Sequence, residues 1–205
     1  MPTQTFQRAV PAEMAEPLSE EVALRAAVYE IEAYVAGSGW DQPARLYALV
    51  DTASLTLREP TLAASMRLDA AGAVGSLTPV EQDQLPPDTR LEEVLETISW
   101  PAEVTGCAAV VERLVLPPDA DADLPDDGEA AEAFAREHPD RQDVRIAAGV
   151  TRSGATYCAL RLRAHDDDRS VVGGADLVPG LVSLLGATLL DEDRDETDVM
   201  EREPR

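Results

Sequence analysis

The stretch Asp143 to Ala164, DVRIAAGVTRSGATYCALRLRA, limits what this chain can fold into more than any other. Val144, Ile146, Ala148 and Val150 alternate along its first half, and Cys158, Leu160 and Leu162 follow Thr156 in the second. Alternation at period two marks a strand with one buried face. The turn between them decides which residues meet. A two-residue loop at Ser153-Gly154 would set Ile146 against Arg161 and put charge beside the core. A three-residue loop, Arg152-Ser153-Gly154, sets Ile146 against Leu160 and Val144 against Leu162. That register keeps one face apolar and leaves Gly154 where a left-handed residue is needed. On the other face Asp143 then meets Arg163, Arg145 meets Arg161, Ala147 meets Ala159 and Gly149 meets Tyr157. Two facing arginines repel, so an acid is required beside them.

The remaining pattern supplies partners for this hairpin. Gly106–Leu116 (GCAAVVERLVL) is apolar on both faces except at Glu112 and Arg113, as in a central strand covered on both sides. It is the expected neighbour of the hairpin, with Glu112 or Asp143 as the neutralising acid. Ala44–Val50 reads as another strand, with an edge that would suit pairing across a dimer. A helix is predicted over Ser19–Ala36, with stripe Leu24, Ala27, Val28, Ile31, Tyr34 and Val35 and a stop at Gly37-Ser38-Gly39. Short helices are predicted from Asp51 or Thr52 to Arg58 and over Thr61–Leu68. Ala70–Pro87 reads as a Gly- and Pro-punctuated loop with one extended piece or turn, in which Thr78-Pro79-Val80-Glu81 reads as a capping box with room for a single turn. Thr89 and Glu92 make a second capping box for a helix over Thr89–Ser99. A weak helix is expected around Glu129–Glu137, and Gly173-Gly174 reads as a turn. Asp176 is the expected cap of a final helix to Leu190. The fold class is therefore α/β: a single domain, with a mostly antiparallel sheet of about four strands and helices packed on it. Residues 1–17 are expected to be a flexible arm, 18–190 the domain with an acidic excursion at 119–141, and 191–205 a disordered acidic tail.

Charge narrows the function. The net charge is −23 over 205 residues. Asp119 to Glu132 holds seven acids and no base, and Asp191 to Arg205 holds eight acids against three arginines. Such a chain repels nucleic acid and anionic membrane surfaces, so neither is expected as a partner. All 17 basic residues are arginine, which excludes Schiff-base chemistry and a lysine-bearing phosphate loop. Cys107 and Cys158 lie in apolar runs and read as buried, reduced thiols. No secretory or membrane-spanning segment is evident, and a cytoplasmic protein is expected.

No catalytic motif stands out. Gly-x-Ser-x-Gly is absent, and no cofactor is implied. The arginine face of the hairpin, Arg145, Arg161 and Arg163, is the candidate ligand site; it would hold a carboxylate or phosphate unless internal acids occupy it, which is the favoured reading. His165, Asp166, Asp167 and Asp168 have metal-ligand residue types, with His165, Asp166 and Asp168 as the candidate set. A solvated acidic run is preferred there, because neighbours in an extended segment point apart. Trp40-Asp41-Gln42-Pro43 and Ser99-Trp100-Pro101 are two tryptophan–proline corners. Each ring either plugs a helix-to-strand joint or serves as an anchor on a shared partner-binding surface.

Several of these segments carry a resemblance. They are Gly39-Trp40-Asp41-Gln42-Pro43 running into Arg45-Leu46-Tyr47-Ala48-Leu49-Val50, Leu77-Thr78-Pro79-Val80-Glu81-Gln82-Asp83, Trp100-Pro101, Val110 to Pro118, His138-Pro139-Asp140-Arg141 and Leu160 to Asp168. Together they resemble a family of small acidic conserved hypothetical proteins of actinobacteria with no assigned activity, over roughly Leu18 to Leu190. The resemblance implies a bacterial cytosolic protein and transfers no catalytic residue. The expected function is non-enzymatic: an interaction or chaperone-like protein with a basic protein partner. The alternative is a small-anion binding domain or enzyme built on the arginine face. Oligomeric state is not set by the sequence.

Overall fold

The computed structural model describes residues 18–68, 74–85, 89–125 and 127–190. The expected N-terminal arm and C-terminal tail lie outside the described residues. The helices are α1 (Glu20–Ala36), α2 (Thr52–Arg58), α3 (Pro60–Ser65), α4 (Leu91–Leu95), α5 (Gly128–Glu137) and α6 (Pro179–Ala187). The strands are β1 (Arg45–Asp51), β2 (Leu77–Glu81), β3 (Gly106–Val115), β4 (Gln142–Thr151), β5 (Thr156–Leu162) and β6 (Val172–Gly174). They form one antiparallel six-stranded sheet in the order β2-β1-β3-β4-β5-β6.

The hairpin takes the three-residue register. Ile146 opposes Leu160, Val144 opposes Leu162, Arg145 opposes Arg161 and Gly149 opposes Tyr157. Gly154 sits at φ +94°, and the Thr151 amide donates to Ala155 O to close the loop. The β4 partner on the other side is β3, and it brings Glu112 opposite Arg145.

Alternation sorts the sheet residues into two cores. Helix α1 lays Leu24, Ala27, Val28, Ile31 and Val35 against Tyr47, Leu49, Ala108, Val110, Ala147 and Ala159. On the opposite face α4 and α6 bring Leu91, Leu95, Leu181 and Leu185 to Leu46, Ala48, Cys107, Ala109, Val111, Ile146, Ala148, Val150 and Cys158. Close approach of α1 requires a bare backbone in β4. A Cβ on Gly149 would lie 2.8 Å from Val28 Cγ2 and 3.1 Å from Leu24 Cδ1. Gly149→Ala is therefore expected to cost about 1–3 kcal/mol through overpacking, read as a lower urea midpoint.

Six strands form where about four were expected. The Thr78 hydroxyl is buried and lies 2.8 Å from the Thr52 hydroxyl, so it joins β2 to the start of α2 rather than capping a helix. β1 is consequently an interior strand, not an edge. β6 was expected as a turn because glycine weakens strands. Here Gly173 is selected by proximity: any Cβ would collide with the Tyr29 and Tyr157 hydroxyls. The new edges are blunted, one by Pro79 and the other by a length of three residues.

Three helix limits also differ. α6 begins at Pro179, not after Asp176, because proline at N1 has its φ preset and no amide to satisfy. α4 stops at Leu95, where the Thr97 amide and hydroxyl both turn back to Val94 O. Its N-cap position is Arg90, without a side-chain cap, so the Thr89–Glu92 capping box is not formed. The strand β5 ends at Leu162, and Arg163–His165 turns in a 3-10 helix. No helix among the described residues is long and apolar enough to cross a membrane.

Candidate functional site

Arg145, Arg161 and Arg163 of the hairpin lie on the α1 side of the sheet, and each meets acid from this chain. Arg161 is clamped by Glu32 of α1, with Nε donating to Oε1 at 2.6 Å and Nη2 to Oε2 at 2.8 Å. Asp168 and Asp166 accept from the same guanidinium at 2.8 Å and 3.3 Å. Hydrogen bonding to Glu32 leads the causes that hold the Arg161 pKa above its ordinary value, so this charge is permanent. Arg145, fully buried, donates from Nε and Nη2 to Glu112 Oε1 at 3.2 Å and 2.8 Å, and from Nη2 to Gly39 O. Its Nη1 has no acceptor among the described residues, but the Trp40 ring lies 4.4 Å from Cζ. That cation–π contact offsets part of the desolvation. Arg163 is held by both carboxylate oxygens of Asp41 at 2.9 Å and 2.8 Å, with Asp143 at 3.9 Å.

The loop after α1 is the hub of this network. Gly39 and Asp41 take positive φ, +81° and +64°, which turn the chain tightly under the sheet. Asp41 donates its amide to Glu112 Oε2 at 2.8 Å, so Glu112 spans both Arg145 and the loop. The Trp40 Nε1 donates to Asp166 at 2.9 Å. That bond, ahead of Arg161, draws the Asp166 carboxyl below the usual carboxylate range; burial opposes it. Asp41 is likewise lowered, chiefly by its hydrogen bond to Arg163. Both carboxylates stay ionised well into the acid range, so neither is a proton donor at neutral pH.

Of the sequence-predicted residues, Trp40, Arg145, Arg161, Arg163, Asp166 and Asp168 gather in one network, and Trp100 lies apart from it. Arg145, Arg161 and Arg163 are each paired with acids of this chain, with Arg161 buried and Arg163 42% exposed. Asp166 and Asp168 point at Arg161, while His165 is exposed in the 3-10 turn. Among the described residues no three His, Cys, Asp or Glu side chains converge as metal ligands. Arg161 already occupies the place of a cation between the two carboxylates. Trp40 and Trp100 do not share a surface: Trp40 packs on the arginines under α1, and Trp100 belongs to the core on the α4 and α6 side.

Sequence reasoning missed Glu32, Asp41 and Arg152. Glu32 had a signal, since it stands four residues after Val28 and three before Val35, on the buried stripe of α1. Arg152 had none, because it reads as a turn residue. Its guanidinium instead reaches back to four carbonyl oxygens: Val104 at 2.9 Å from Nε, Trp100 at 2.8 Å and Pro101 at 3.0 Å from Nη2, and Leu189 from Nη1.

Arg152 thereby fixes the segment that walls a cleft of about 540 Å³ on the α4 side. Leu46 and Ala48 of β1 form its floor, Val94, Ile98, Trp100 and Val104 line it, and Gln82, Asp83 and Leu85 lie along one side. Trp100 Nε1 is closed to solvent, beside Cys107. Burial pushes the Cys107 thiol up to about 11 despite help for the thiolate from Thr188 and Trp100. It therefore remains a thiol at neutral pH and is no nucleophile. Cys158 is also free, buried and raised by desolvation.

Fold and site together define a mixed α/β domain whose arginine face is closed by its own acids and whose other face carries an apolar cleft. A family model described as PPA1309-like protein matches residues 24–190. The chain belongs to this family, which takes its name from a protein of the actinobacterium Propionibacterium acnes. No curated protein and no solved structure matches the chain. The family's function is uncharacterised, so membership transfers no activity.

Proposed function

We propose that this chain is a non-enzymatic cytosolic interaction or chaperone-like protein, whose partner is a basic protein. The observation that carries the reading is where the arginines go. Arg45, Arg113, Arg136, Arg145, Arg161 and Arg163 are each paired with an acid of the same chain. Each pair cancels one acid against one base, so the excess of 40 acids over 17 arginines, a net charge of −23, remains on acids without an arginine to match. Such a field steers basic proteins in and repels acidic ones. Supporting this, the titratable groups near the network are held in fixed charge states rather than poised near neutrality.

Affinity capture with the purified full chain, at low and at high salt, tests it. A basic protein retained at low salt and released as salt rises is the expected result. Retention of no salt-sensitive partner overturns the reading.

A further inference from the structure

We propose that the cleft walled by Trp100 is the docking seat for a basic amphipathic segment of a protein partner, with apolar side chains entering the cleft and flanking lysines or arginines meeting its rim. The inference rests on the proposed interaction role and names the surface that performs it. Two independent features meet here. The floor and walls are apolar: Leu46, Ala48, Val94, Ile98, Trp100 and Val104, in a space of about 540 Å³. A cavity of this size sits within the range that takes a whole apolar anchor. One acid lines the cleft, and two more are chain neighbours of its lining residues. Asp83 lines it, Glu96 stands between Val94 and Ile98 in the chain, and Glu103 immediately precedes Val104. All three are exposed, and among the described residues none forms an ion pair.

The contrast with the other face decides the occupant. Under α1, Arg145, Arg161 and Arg163 are supplied with acid, whereas Asp83, which lines the cleft, forms no ion pair among the described residues, and Arg152 beside it directs its guanidinium to backbone carbonyls of the wall. An apolar ligand alone would leave those carboxylates unused, and an acidic segment would be repelled. A segment that alternates apolar and basic residues satisfies both the cleft and its rim, in the groove-docking mode. Aromatic walls with polar rims are also where binding energy concentrates. Arg152 holds the Trp100–Val104 wall in place through four carbonyls, so the seat is preformed rather than assembled on binding.

The test uses the ¹⁵N-labelled full chain and a synthetic amphipathic peptide with leucines on one face and lysines on the other. Two control peptides carry glutamate for lysine, or serine for leucine. The leucine–lysine peptide is expected to shift the Trp100 indole resonance and the amides of residues 94–104, while both controls leave them in place. Asp83→Lys, Glu96→Lys and Glu103→Lys together should weaken that peptide on the order of tenfold, since each exposed charge contributes modestly. All three positions are exposed, so the variant keeps the fold, which its unchanged amide spectrum elsewhere verifies.

Equal binding of the leucine–glutamate peptide overturns the proposal. So do shifts confined to the acidic helix α5, or shifts that appear only as the chain is concentrated without peptide, which would mean a second copy covers the cleft. A captured basic partner that binds the triple variant as tightly as the wild type overturns the cleft while leaving the interaction role standing. Absence of any salt-sensitive partner sinks the role itself.

Discussion

Glu32→Ala is expected to lower folding stability by about 3 kcal/mol or more, the cost of stranding a buried charge. Glu32 and Arg161 are each only 2% exposed, and the pair is bidentate at 2.6 Å and 2.8 Å. Removing the carboxylate leaves the guanidinium between α1 and the sheet. Asp166 and Asp168 still reach it, but the Asp168 side chain is 89% exposed, so solvent screens that contact. They hold the loss toward the lower end of the usual range rather than abolish it. The effect separates from the worth of the pair. Replacing both partners, Glu32→Leu with Arg161→Met, should recover most of the loss, because two apolar groups leave nothing unpaired. Urea unfolding of the two single variants and the double variant measures the coupling. A single substitution that shifts the midpoint by less than about 1 kcal/mol, as an exposed pair would, overturns the assignment of α1 docking to this pair.

Arg152→Ala is the second large effect, expected at about 2–4 kcal/mol. Hydrogen bonds from a charged donor contribute roughly 1.5–3 kcal/mol each, but water can replace those at the outer carbonyls. Four acceptors, on Val104, Trp100, Pro101 and Leu189, lose a shared donor at once. Arg152→Lys should not rescue it, since an ammonium is a point donor and cannot fork to carbonyls on separate segments. Hydrogen exchange locates the damage: Arg152 N and Thr105 N lie in the same junction, bonded to Thr105 O and Leu49 O. Those amides should exchange faster in the variant than the α1-side amides do. Uniform acceleration across the sheet would mean that Arg152 stabilises the fold globally and not this wall.

How much of this was legible in the chain depended on the range of the interaction. The hairpin register followed from alternation and one loop length, and the folded protein keeps it pair by pair. Glu112 was recognisable as a counterion, because a strand beside the hairpin has to place its polar residue against the polar face. Of the edge strands, β2 was legible only as an extended piece or turn within a loop, and β6 only as a turn. One carries a proline and the other two glycines, residues that local propensity reads as turn, and tertiary proximity overrode that preference. The candidate arginines were found, but their other acids lie far off: Glu32 is 129 residues from Arg161, and Asp41 is 122 from Arg163.

The sequence by itself determined the hairpin, its two unlike faces and the requirement that acid lie beside the arginines. Those depend on side-chain alternation and on charge, which are local and additive. Only the tertiary structure decided that α1 brings Glu32 to Arg161, that the Trp40 loop seals Arg145, and that Arg152 pins the wall of an apolar cleft. Each of those requires segments distant in the chain to be packed at one place, and packing geometry is not written in any single stretch.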